Sequence, residues 1–233
     1  MDGMIWLNGS TLYWILFIGI SIASWVVSRS VERKIKKYAQ EPLPMTGAQV
    51  AEKMLRDNDI MDVKVVCTNG FLSDHYNPTD KTVNLSADVY NGANVSAAAI
   101  AAHECGHAIQ HSHAYAPLQL RSALVPMINF SNKFVTWILL AGILMVERFP
   151  QVLLAGIILF GLTTLFSFIT LPVEVNASQR AVAWLEDAGI TDRETTQMAS
   201  DALHSAAYTY VVAALSSLAT LVYYIMIFMS RRD

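Results

Sequence analysis

His103-Glu104-Cys105-Gly106-His107 reads as HExxH. On an α-helix, residues four apart project from one face about one turn apart, so both imidazoles can reach a single ion, with Glu104 beside them to hold a water on it. The flanking Ala97 to Ala102 and Ala108 make the helix otherwise apolar. Burying two rings and a carboxylate there without a partner is costly, and a bound cation removes the cost. The competing reading is a pair of satisfied core or interface histidines. Zinc is the expected ion, held by two His and one carboxylate. The third ligand is expected to be Glu174, which opens a polar stretch just after Pro172. Its bland reading is a carboxylate that favours a helix N-terminus. Asp88, in the Asp88-Val89-Tyr90-Asn91-Gly92 turn region, and His111 and His113, just past the motif, are weaker candidates.

The elements that must position these residues can be sketched from local signals. Asn94 or Ser96 can cap a long helix running through the motif toward Gln110. Thr46 and Gln49 form a capping-box pattern opening a helix with Val50, Met54 and Leu55 on one face, ended by Asp57-Asn58-Asp59. Val63 to Val66 and Lys81 to Ser86 read as strands. The second, just before the motif helix, is a candidate to pair with an extended substrate, or else an ordinary hairpin strand. Glu174 to Ala188 reads as a helix stopped by Gly189, followed by a second capping box at Thr191-Asp192-Arg193-Glu194. Cys105 is expected to be small filler facing away from the metal, and Cys67 a buried thiol.

Composition places these elements at a membrane. Of 233 residues, 54% are hydrophobic and 15% charged, where a soluble domain carries about 45–50% apolar and about 25% charged residues. A soluble globule, a disordered chain, collagen and a disulfide scaffold are excluded by these numbers together with 11 Gly, 7 Pro and two Cys. A net charge of -3 and a pI near 6.0 provide no basic surplus, so no nucleic-acid partner is expected. Three uncharged runs are long enough to be spans, Ile5 to Val27, Val152 to Leu171 and Ala202 to Ser230, and a shorter one, Phe134 to Val146, is expected to belong to a helix that begins around Leu124 and carries Lys133 near its interfacial end. That helix and the Val152 to Leu171 run form a hairpin around Glu147-Arg148-Phe149-Pro150. The first is read as an uncleaved anchor because the basic residues follow the apolar run. Arg29, Arg33, Lys34, Lys36 and Lys37 make that side cytoplasmic, where the lysines would touch anionic headgroups. Arg231 and Arg232 would then lie outside, a weaker pair overridden by the cluster of five. The fold class expected is a mainly α integral membrane protein, with about four transmembrane helices and a small α+β zincin-like domain. Its parts are an anchor (1–28), a zincin-like segment (29–123), a transmembrane hairpin (124–173), a polar helical segment (174–201) and a C-terminal span (202–233).

The chain resembles the YugP-like membrane zinc metallopeptidases, relatives of the HtpX-type membrane proteases. The resemblance rests on Asp74-His75-Tyr76-Asn77-Pro78, Asn84-Leu85-Ser86, Ala101-Ala102-His103-Glu104-Cys105-Gly106-His107-Ala108-Ile109-Gln110, Leu171-Pro172-Val173-Glu174 and Thr209-Tyr210-Val211. It implies zinc ligands at His103, His107 and Glu174, Glu104 as general base, and a membrane-embedded endopeptidase of a bacterial-type cell membrane with its site on the cytoplasmic side. One departure is Ser178, where the HtpX-type pattern has an aspartate one turn after the third ligand. The mechanism implied is metal-assisted hydrolysis, with Tyr210 and His204 preferred over Tyr208 and Arg180 as donors to the oxyanion. The implied partners are a peptide or membrane-protein substrate, the lipid bilayer, and a membrane protein partner or second copy. Against this stand a membrane scaffold with a structural or vestigial zinc site and a zinc hydrolase of lipid.

Overall fold

A computed structural model describes residues 9–70 and 73–230. It contains α1 (Gly9–Tyr38), α2 (Gly47–Asp57), β1 (Lys64–Thr68), β2 (His75–Asn77), β3 (Thr82–Ser86), α3 (Ala87–Asn91), α4 (Val95–Ser112), α5 (Ala116–Leu144), α6 (Pro150–Asp187) and α7 (Arg193–Ser230). Among the described residues four helices are long and apolar enough to cross a membrane: Trp14–Tyr38 of α1, and the whole of α5, α6 and α7. The protein is a mainly α integral membrane protein with a small α+β part. Residues 5–8 of the expected first span, and Arg231 and Arg232, lie outside the described residues.

The chain divides into two compact units. One comprises the apolar parts of the long helices, Ala123–Ile169 with the adjoining stretches of α1 and α7. Its α5–α6 hairpin closes tightly because it carries glycines at the crossing: a Cβ on Gly142 would lie 2.6 Å from Leu153 Cα, and one on Gly156 2.7 Å from a Leu139 methyl. Val135, Leu139, Leu153 and Ile157 form its core, with Leu221 and Tyr224 of α7 packed against them. Outward-facing Trp137, Leu144, Ile158, Leu165 and Leu215 stay exposed, as lipid-facing side chains do.

The other unit, Ser28–Ser122 with Thr170–Tyr208, holds the motif. Helix α2 is built as expected: Thr46 Oγ1 accepts from Gln49 N, Gln49 Oε1 accepts from Thr46 N, and the left-handed Asp59 (φ 58°) turns the chain away. Its Val50, Ala51, Met54 and Leu55 pack into one core with Ala98, Ala101, Ala102 and Cys105 of α4 and Ala181 and Leu185 of α6. Asn94 is the N-cap of α4, while Ser96 instead donates its hydroxyl to Ile35 O of α1 at 2.7 Å. Lys34 and Tyr38 both reach the Asp201 carboxylate of α7 at 2.7 Å, so Lys34 serves as a tie between α1 and α7.

Several local expectations change in the assembled unit. Pro172 does not end a helix: α6 runs unbroken from Pro150 to Asp187, and Glu174 sits inside it. Helix α5 starts at Ala116, eight residues before the expected Leu124, with Pro126 inside it. The second capping box lies one residue later, with Asp192 Oδ1 accepting from Thr195 N and Thr195 Oγ1 accepting from Asp192 N. Asp88 belongs to the short helix α3. The sheet order is β1-β3-β2, parallel between β1 and β3 and antiparallel between β3 and β2. Thus β3, the strand expected to pair with substrate, is central and has both edges filled. Cys67, expected to be buried, faces solvent on the edge strand β1.

Candidate metal centre

Three side chains converge where α4 meets α6. His103 and His107 project from one face of α4, their ring centroids 4.8 Å apart and the planes at 85°. Glu174 comes from the interior of α6, and its Oε2 lies 3.3 Å from His103 Nε2 and 3.5 Å from His107 Nε2. One donor atom from each falls within 4.8 Å of the others. The approach depends on Gly106, the fourth residue of the motif, because a Cβ there would stand 2.7 Å from Ala177 O. The α4–α6 contact is close because α4 offers no side chain at that point.

The far side of each ring is held. His107 Nδ1 is 3.0 Å from Gln110 Oε1, and Gln110 Nε2 donates to Val173 O at 2.8 Å and to Asn176 Oδ1 at 3.0 Å. Two acceptors around Nε2 set the amide orientation, which leaves Oε1 as acceptor for a proton on His107 Nδ1 and frees Nε2 as a donor to metal. His103 Nδ1 lies 3.1 Å from Ser178 Oγ, so the serine one turn after Glu174 engages the outer nitrogen of the ring. Two nitrogens and a carboxylate oxygen, with both outer ring nitrogens engaged, form a donor set suited to zinc. Burial of His107 opposes its charged form, but the Glu174 and Glu104 carboxylates outweigh burial and raise its pKa. Their field favours a cation at this point.

Glu104, mostly buried, is aimed by the main chain: its Oε2 accepts from Tyr76 N at 3.0 Å. Tyr76 lies on β2, whose inner edge pairs with β3. Strand β2 is held in turn by neighbouring polar side chains, since Asp74 Oδ1 accepts from Ser86 N at 2.7 Å and Asn84 Nδ2 donates to His75 O at 3.4 Å. Cys105 is buried with its thiol 3.5 Å from Ala51 O, and burial pushes that thiol's pKa up.

Residues 13–229 match the family described as "Putative neutral zinc metallopeptidase". The chain belongs to that family. It is also 39% identical over 224 residues to the "Putative membrane protease YugP" of Bacillus subtilis (strain 168), covering 94% of this chain and 99% of the relative. No solved structure matches. Zinc is therefore the cofactor of this metallopeptidase family member, and His103, His107 and Glu174 are the group able to hold it.

Other expected residues fall elsewhere. His111 Nδ1 pairs with Tyr76 Oη at 2.8 Å, and His113 is the C-cap of α4. Arg180 Nε donates to Asn176 Oδ1 at 2.9 Å. His204, exposed, pairs through Nδ1 with Ser200 Oγ at 3.2 Å, and Tyr208 is exposed. Tyr210 is half-buried on the part of α7 that belongs to the other unit. Gln110, Ser178, the Tyr76 amide and Arg121, whose Nη1 is 3.7 Å from Glu174 Oε1, are participants not anticipated from the sequence. Helical spacing could have found Gln110, at i+3 from His107, and Ser178, at i+4 from Glu174. Helical spacing does not point to the Tyr76 amide or to Arg121, which come from separate elements.

Proposed function

We propose that this chain is a membrane-embedded zinc endopeptidase in which His103, His107 and Glu174 hold the metal and Glu104 moves the proton. One observation carries the reading: two imidazole nitrogens and a carboxylate oxygen face one another within 4.8 Å, with the second residue of the motif buried beside them. Zinc, when bound, supplies a Lewis acid that polarises a peptide carbonyl and acidifies water. Glu104, oriented by the Tyr76 amide, takes one proton from the attacking water as the C–O bond forms. It returns that proton to the nitrogen as the C–N bond breaks, so that peptide and water become acid and amine. Tyr210 and His204 stay the candidates that the sequence alone offers for a donor to the developing oxyanion.

The substrate is an extended peptide or membrane-protein segment. Its docking edge in this proposal is the outer side of β2, because the Tyr76 amide already points from that edge toward Glu104, whereas β3 is enclosed. The site belongs on the cytoplasmic side, given the five basic residues that follow the first span.

The test combines zinc content with cleavage of casein. Glu104→Gln is expected to keep about one zinc per chain and lose cleavage by about 10²–10⁴-fold. Undiminished cleavage in that variant overturns the reading. Glu174→Ala is expected to lose zinc, and full metal affinity there removes Glu174 from the ligand set.

A further inference from the structure

Arg121 lies in the second turn of α5, and its Nη1 is 3.7 Å from Glu174 Oε1, the oxygen opposite the one that faces the imidazoles. That distance is an ion pair and too long for a hydrogen bond. The side chain is only 32% exposed, and its Nε is fully buried with no hydrogen-bond partner among the described residues. Burying such a donor unmatched is unfavourable, the more so in a charged group. Arg180, by contrast, spends its Nε on Asn176. The guanidinium has more N–H groups than the Glu174 contact engages, so it can meet a second negative group beside the cluster. Peptide hydrolysis forms such a group, as the scissile carbonyl oxygen takes up negative charge when water adds.

We propose that Arg121 is a catalytic residue that donates hydrogen bonds to the oxyanion of the scissile carbonyl. This rests on the endopeptidase reading above. The guanidinium offers several N–H groups in a fixed plane, a geometry suited to an oxyanion, and Glu174 Oε1 holds it beside the cluster through Nη1. The contact with Glu174 tethers the group to the metal ligand itself, so the donor and the metal keep a set separation. Its role begins only when charge develops, which makes it a transition-state contact.

The experiment uses the full-length protein in detergent, a quenched-fluorescence peptide blocked at both ends, and a phosphinic peptide whose tetrahedral anion mimics the addition product. Arg121→Ala and Arg121→Gln are expected to retain one zinc per chain, keep KM, lose about 10²–10³-fold in kcat and lose phosphinic-peptide affinity by a similar factor. Guanidinium chloride at millimolar concentration is expected to restore part of the kcat of Arg121→Ala and none of that of Glu104→Gln. Should Arg121→Ala fail to fold, Arg121→Lys decides: a reduced kcat with zinc retained supports the proposal, and a wild-type kcat overturns it. Loss of zinc from the Arg121 variants overturns it in favour of a counter-ion for Glu174. A loss confined to peptides with a free C-terminal carboxylate overturns it in favour of end recognition. Undiminished cleavage by Glu104→Gln brings down the underlying reading, whereas an inactive Glu104→Gln with fully active Arg121 variants brings down this proposal alone.

Discussion

Each imidazole of the candidate centre is oriented by a neutral group: His107 by the Gln110 amide and His103 by the Ser178 hydroxyl. A carboxylate in either place would raise ligand basicity and add negative charge, but a neutral acceptor still sets the ring and the tautomer. Gln110 is fully buried, and its Nε2 is satisfied twice, so its orientation cannot reverse without losing two bonds. Gln110→Ala and Ser178→Ala are therefore expected to weaken zinc binding by about 10–100-fold each, read by competition with a chromogenic chelator. Wild-type affinity in both would mean that the rings are held by packing alone. Ser178 stood out in the sequence as a departure from a related pattern, and in the structure its hydroxyl reaches the ring.

Among the elements, the α4–α6 contact decides whether the donors meet. Gly106 brings α4 against the Ala177 carbonyl, and no other residue type leaves that space. Gly106→Ala is expected to destabilise the protein by about 1–3 kcal/mol through overpacking and to lower its zinc content. A methyl at Gly19, in α1, would meet nothing within 4 Å, so Gly19→Ala serves as a control expected to leave both unchanged or to stabilise the helix by up to about 1 kcal/mol. Thermal unfolding with and without chelator measures the two. The capping boxes and the motif helix were readable from sequence because their hydrogen bonds join residues three or four apart. The continuity of α6 through Pro172 was not, since local preference says that proline ends a helix, whereas the helix continues past it with Val173, Ala177 and Ala181 buried. The central position of β3 was equally hidden, because strand neighbours are set by pairing across the chain.

For the whole molecule, sidedness is the property with the largest consequence. Cys67 is exposed on β1 and Cys105 is buried, in the unit that carries the donors. Burial also keeps the Cys105 thiol protonated and unreactive. A membrane-impermeant maleimide is expected to label Cys67 in inverted vesicles and not in intact cells, with Cys67→Ser abolishing the signal. Labelling from outside would move the candidate metal centre to the opposite face and reverse the orientation inferred from the basic cluster. Two members of that cluster have partners in the fold, Lys34 with Asp201 and Arg29 with Glu32, so a count of positive charges alone overstates what the membrane surface meets.

By itself the sequence determined the membrane class, the four apolar stretches, the motif helix and the candidate metal donors, because apolar length and i, i+4 spacing are local properties of a chain. Tertiary structure decided which groups turn those donors into a centre. Ser178 and Gln110 fix the rings, the Tyr76 amide on an edge strand aims Glu104, and Arg121 on α5 comes beside Glu174 on α6. Most of those contacts join residues far apart in the chain, and they exist only because packing of α2, α4 and α6 into one core brings their backbones within reach.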